Sequence, residues 1–216
     1  MAAVPIKPEY GPTLGRLLAP RWHAARPRTR RALFAVAAGV VLLAIALALT
    51  LENAHYSHGG PVPFGFEYRG LDKTAPEAGG YVRVTQRDAH GGLRYSYEVD
   101  PLVLPPYKGN VSGALPVFAS HYLPRLAARF ADYAPRGEGR TRVNGVPGYQ
   151  LLFSANVAGR EIYGRDVLLL PPKEGATRGV SILMLTAVGA TAQVEAPVEV
   201  GTAGVLLRPL KTFSFG

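Results

Sequence analysis

GYQLLFSANVAGREIYGRDVLLL, residues 148–170, holds two runs rich in Leu, Phe, Tyr, Val and Ile on either side of a turn that contains Gly159. Each run has strand length and strand-type residues, and a glycine supplies the backbone freedom that a reversal needs. The stretch predicts a long antiparallel hairpin, with strands over 148–157 and 161–170, the second stopped by Pro171 and Pro172. Residues 141–143 before it and 179–188 after it also read as strands.

Upstream the period changes. Phe118, Tyr122, Leu126, Phe130 and Tyr133 recur at steps of three and four, with Arg125, Arg129 and Asp132 between them, which predicts an amphipathic helix over 115–134. Pro124 should kink it or define its first turn, and Pro135 and Gly137 end it. Before this helix, 81–85 and 93–99 alternate polar and apolar residues around Gly91-Gly92, a second hairpin signal. Residues 103–112 form a turn-rich connection through Pro105 and Pro106. Downstream, 194–207 offers a short helix weakened by Gly201 and Gly204 and ended by Pro209. The last residues alternate, so that Phe213 and Phe215 should dock on the core. Strands, helix, strands and a terminal helix make an antiparallel α+β sandwich.

The front of the chain is different in kind. Residues 32–51 are 20 consecutive uncharged positions, with Thr50 as the polar one. A helix of that length spans roughly 30 Å, the thickness of a bilayer's hydrocarbon core, and satisfies every backbone group internally. Arg26, Arg28, Arg30 and Arg31 lie just before it and Glu52 just after it. Arginines so placed stay on the cytoplasmic side and touch anionic headgroups. A cleaved export signal is the competing reading, because Ala46-Leu47-Ala48 offers a small-x-small site. Cleavable apolar regions usually run about 7 to 15 residues after a short basic start. The length therefore favours an uncleaved anchor in the plasma membrane, N-terminus inside. The expected organisation is a basic, mostly disordered tail over 1–31, a transmembrane helix over 32–51, a stalk with a first strand over 52–78, and an extracytoplasmic α+β domain over 79–216.

Composition agrees with that division. The 216 residues are 48% hydrophobic and 18% charged, enough for one domain with a sizeable core. The formal charge is +9, of which the segment before Ala32, with seven cations against Glu9, carries most. A nucleic-acid binder would spread basic and aromatic residues over its folded part, so nucleic acid is not expected as a partner, and the lipid bilayer is. Cysteine is absent, which excludes disulfides, thiolate metal sites and a lipidated cysteine, and favours a prokaryotic envelope protein.

The early strand pair, the helix, the stretch Asn144-Gly145-Val146-Pro147-Gly148-Tyr149-Gln150-Leu151, the hairpin after it and the terminal run Thr212-Phe213-Ser214-Phe215 together resemble the PsbP and Mog1-like superfamily, which includes actinobacterial envelope lipoproteins. The resemblance covers roughly residues 62–216 and implies a small non-catalytic module that binds partners or ligands. The missing lipidation cysteine departs from those lipoproteins; the apolar helix would take its place as anchor.

Catalytic patterns are weak. Gly109-Asn110-Val111-Ser112-Gly113 has its serine one place off the nucleophile elbow, and no phosphate-binding glycine loop is present. His55 and His58 lack a third ligand, so no metal site is expected, nor a cofactor. Glu161 and Asp166, an odd number of residues apart, fall on opposite faces of a strand. Together with Arg160 and Arg165 they read as a solvated charged edge. Two functions follow. One is a membrane-anchored extracytoplasmic binding or scaffolding domain, without catalysis, whose groove is lined by Tyr95, Tyr97, Tyr107 and Tyr163 and takes an envelope protein or an apolar small molecule. The alternative is a cell-envelope hydrolase, which requires His121 to converge with Glu98, Asp100 or Asp132.

Overall fold

The computed structural model describes residues 34–43 and 53–216. The chain divides into two compact units, Met1–Glu52 and Asn53–Gly216. In the first, residues 34–43 are α-helical with exposed side chains. The rest of the expected membrane span, and Arg26, Arg28, Arg30 and Arg31, lie outside the described residues. Among the described residues no helix is long and apolar enough to cross a membrane.

The second unit is α+β. Its elements are β1 (Ala54–His58), β2 (Phe64–Tyr68), β3 (Asp72–Thr74), β4 (Val82–Arg87), β5 (Leu93–Val103), α1 (Val111–Ala127), β6 (Ala131–Val143), β7 (Val146–Val157), β8 (Arg160–Leu169), β9 (Arg178–Ala187), α2 (Leu207–Thr212) and β10 (Ser214–Phe215), with two 3-10 turns before α2. Seven strands form one antiparallel sheet in the order β3-β4-β5-β9-β8-β7-β6, and β1-β2-β10 form a second, smaller sheet.

Side chains alternate across a strand, so the large sheet has two apolar faces and a core on each. Tyr95, Tyr97, Val99, Val167, Ile182 and Met184 point to one face and pack against Phe64, Phe66, Leu210 and Phe213 of the small sheet and C-terminal segment. Leu151, Phe153, Ile162, Leu168, Leu183 and Leu185 point to the other and pack under Leu115, Ala119 and Leu126 of α1. This explains why β8 and β9 are almost continuously buried: both their faces are covered.

The hairpin of residues 148–170 forms as expected, with Val157 opposite Arg160 across the Ala158-Gly159 turn, both at positive φ. The phenylalanines of the C-terminus also dock: Phe213 is buried and Phe215 pairs with Phe64. Elsewhere the structure corrects the sequence reading. The helix ends at Ala127, and 131–143 is a strand that turns into β7 through Asn144 and Gly145, both at positive φ. Asn-Gly is the residue pair such a two-residue turn favours, and the Asn144 side chain also donates to the Phe213 carbonyl at 2.7 Å. Phe130 and Tyr133 continue the helical count because they face the same core, Phe130 from the turn after α1 and Tyr133 from the bulged strand β6, and both rings lie against Phe153.

Over 52–78, where a stalk and one strand at 64–68 are expected, that strand forms as β2, and β1 and β3 take up parts of the expected stalk. Tyr56 packs on Phe64 and Phe66, and His58 lies against Tyr81 with ring centroids 4.4 Å apart. Three residues apart on a strand, His55 and His58 face opposite sides and cannot share an ion. Nor is Arg160 to Asp166 a solvated edge. β8 is an interior strand, Arg165 is 6% exposed and Asp166 is fully buried. Pro209, expected to end the last helix, sits in the first turn of α2, where a missing N–H removes no helical bond.

Candidate functional site: a groove beside helix α1

Helix α1 starts at a polar cap. The Asn110 side chain accepts from the Gly113 N–H at 2.9 Å, satisfying one of the helix's orphan donors. Its buried residues Leu115, Ala119 and Leu126, spaced by four and seven, face the sheet. Pro116 and Pro124 lie inside the helix and each removes one backbone bond, leaving a carbonyl on its outer turns without a helical donor.

The flank of α1 and the Pro105-Pro106 connection enclose a groove of about 570 Å³. Its walls are Val103, Leu104, the two prolines, Ala114, Val117 and Phe118; Lys108, His121, Tyr122 and Arg125 bring polar ends. The connection is held open by its own anchors: the Leu104 N–H donates to Thr177 at 2.7 Å and the Tyr107 hydroxyl to the Ala176 carbonyl at 3.1 Å. Val103 and Val117 are more than half exposed, so apolar surface lies open to solvent along the groove.

Of the four tyrosines expected at a groove, Tyr107 lines this one. Tyr95, Tyr97 and Tyr163 belong to the opposite face, because their odd numbers on β5 and β8 share the parity of Val99 and Val167. Tyr95 and Tyr97 spend their hydroxyls on the carbonyls of Ala190 and Pro209. Nothing in the alternating pattern says which face of a doubly covered sheet carries a ligand.

Beneath α1 lies a polar network. Asp166 accepts from Ser181 at 2.5 Å and from Tyr122 at 2.8 Å. Arg129, just past the helix end, reaches Asp100 at 3.1 Å, Glu98 at 3.3 Å and Glu77 at 2.8 Å. Glu98 also accepts from the Glu77 N–H at 2.9 Å and lies 3.7 Å from Arg83. No stretch of sequence shows this set, because its members come from α1, β4, β5, β8 and β9 and from the segments that carry Glu77 and Arg129. The one cue is charge at strand positions between apolar neighbours, which holds for Glu98 and Asp100 and not for Asp166, preceded by Arg165.

Burial is the main cause of every carboxyl shift here. It raises the pKa of Asp166 against the opposing bonds from Ser181 and Tyr122, and that of Asp100 and Glu98 against Arg129. For Arg129, burial pulls downward, but Glu77, Asp100 and Glu98 outweigh it and the guanidinium stays charged. The Tyr122 hydroxyl is raised by burial and by Asp166, and burial pushes Tyr133 up to about 12. A carboxyl whose folded pKa is raised binds protons more tightly folded than unfolded. Its stabilisation is complete below the ordinary carboxylate range and is lost as pH rises through the raised value. Asp166→Asn removes one such group while keeping the shape. Urea unfolding of this variant should therefore weaken less than wild type between acidic and neutral pH. Asp88, which its hydrogen bond from Arg160 holds low, acts oppositely in both proteins, so the difference between the two profiles is the quantity to read. Parallel profiles would contradict the assignment.

The convergence required for a hydrolase is not formed. His121 is exposed, and its Nδ1 donates to the Val117 carbonyl at 3.0 Å, since a carbonyl only accepts. Glu98 and Asp100 are engaged with Arg129, and Asp132 lies in a separate hollow beside Arg136 and Glu161. Among the described residues no group of three His, Asp or Glu is placed to hold a metal ion.

No protein family matches the chain, and no curated protein does. Solved structures give a fold-level likeness. CyanoP, the PsbP of the cyanobacterium Synechocystis, is 13% identical over 77% of this chain and 94% of its own, with a TM-score of 0.47. LpqN, a Mycobacterium tuberculosis protein involved in cell envelope biogenesis, is 12% identical over 76% of this chain and 91% of its own, with a TM-score of 0.42.

Proposed function

We propose that this chain is a membrane-tethered binding module of a bacterial envelope, without catalytic activity, and that the groove beside α1 holds an apolar small molecule ending in an acidic group. The observation that carries the reading is the pairing of aliphatic and proline walls with two cations, Lys108 and Arg125, in one groove. The size falls in the range of small-molecule sites, and the few polar groups would set orientation. Against catalysis stands the use of every nearby carboxyl in internal bonds, which leaves none to act on a ligand beside His121. The tether is supported by the arginines before residue 32 and the 20 uncharged positions after them.

Residues 53–216 carry both cores and provide the material for the test. Titration with dodecanoate and with dodecanol, followed by displacement of an apolar fluorescent probe, should show tighter binding of the acid. Lys108→Gln combined with Arg125→Gln should weaken the acid roughly tenfold and leave the alcohol nearly unchanged. Equal binding of acid and alcohol by the wild type would remove the role of the cations, and binding of neither would remove the groove. For the tether, the chain recovered from membranes should have its full mass; loss of the residues up to the end of the apolar run would show cleavage.

A further inference from the structure

Arg165 rises from the middle of β8 into the face opposite α1 and is 6% exposed. Its Nη1 donates to the Val200 carbonyl at 3.1 Å and its Nη2 to the Thr141 hydroxyl at 3.3 Å, while Nε is buried without a partner. Among the described residues, no carboxylate lies in ion-pair range of it. Arg129, on the other face of the sheet and 22% exposed, has three. A guanidinium keeps its charge at any physiological pH, and burying one without a counter-charge is unfavourable relative to water. Burial accordingly acts to lower its pKa, with no anion to oppose the effect.

The side chain lines a cleft of about 300 Å³ between the β6–β7 turn and α2. Two more cations, Arg142 and Lys211, stand at the same cleft with the polar groups of Asn144 and Thr202. Neither Arg142 nor Lys211 has an acidic partner among the described residues; Arg142 makes one bond, to the Gly145 carbonyl at 3.3 Å. Three cations and no anion around one small cleft, with a buried donor left over, define a site short of negative charge.

We propose that this cleft binds a phosphate-class oxyanion, with Arg165 as its floor and Arg142 and Lys211 as its rim. Several oxygens on one centre match the fork of donors on a guanidinium and use charge-assisted bonds, the strong kind. The anion is either free phosphate or the phosphate of a lipid headgroup, and the site lies on the other face of the sheet from the groove beside α1.

The full chain in a neutral detergent is titrated with inorganic phosphate and, separately, with the short-chain lipid dihexanoyl phosphatidic acid, against chloride at matched ionic strength. A saturable rise in unfolding temperature is expected with at least one, and the one acting at lower concentration identifies the source. Arg142→Gln with Lys211→Gln alters two exposed side chains and should weaken binding at least tenfold. Arg165→Met should abolish the rise; if that variant does not fold, the rim pair carries the test. No saturable rise above chloride, or an unchanged rise in the rim variant, overturns the proposal: water alone then serves Arg165.

Discussion

Phe153→Ala is expected to lower the unfolding free energy of residues 53–216 by about 3–5 kcal/mol, read from urea denaturation. The ring is fully buried in the core under α1, with Phe130 at 5.2 Å and Tyr133 at 4.9 Å between centroids. It also lies over Gly164, its partner across β7 and β8, so closely that a Cβ on that glycine would collide with the ring. Gly164→Ala alone should therefore cost about 1–3 kcal/mol by overpacking. In the double variant the new methyl enters the space the ring has left. The loss in the double variant should fall short of the sum of the two single losses by more than about 0.5 kcal/mol, the mark of residues in contact. Additive losses would show that the glycine is required for some reason other than the ring.

Arg129→Met is the second large effect, expected at about 3 kcal/mol. Removing one partner of a buried ion group leaves the others uncompensated, at roughly 3–5 kcal/mol, and the partial exposure of this guanidinium argues for the lower end. Glu98 has a side-chain exposure of 1% and Asp100 of 17%, so neither can turn to water without moving the sheet. The loss has a pH signature with a definite sign. Without Arg129, both carboxyls are raised further than burial already raises them, so the deficit is greatest at neutral pH and shrinks as they protonate on acidification. A deficit independent of pH would assign Arg129 a packing role only. Arg129 also joins the end of α1 to β5, so the variant should loosen the helix that forms one wall of the groove.

The candidate site was legible only in fragments. Tyr107 is one of four tyrosines that the sequence offers for a groove, and it lines the one beside α1 together with Pro105 and Pro106. Helix α1 is visible by its period, yet the period runs past its last turn, because Phe130 in the following turn and Tyr133 on β6 satisfy the same apolar face. Arg165 and Asp166 read in the sequence as part of a solvated edge, because charges in a strand ordinarily face water. Their burial follows from β8 lying between β7 and β9 with layers on both sides, which is a statement about strand order.

By itself, then, the sequence determined what is local and periodic: the hairpin at 148–170, the helix beneath Asn110, the docking of the terminal phenylalanines, the apolar run with its arginines. Such features depend on spacing of two or about 3.6 residues and on the torsions that glycine, proline and asparagine allow, and these act within a few residues of one another. The tertiary structure alone decided which face of each strand met α1, which charges lost their water, and which came together. Arg129 meets Glu77, Glu98 and Asp100 across tens of residues, and Arg165 meets no carboxylate among the described residues at all. A charge's solvation depends on everything that surrounds it in space, and no window of sequence contains that.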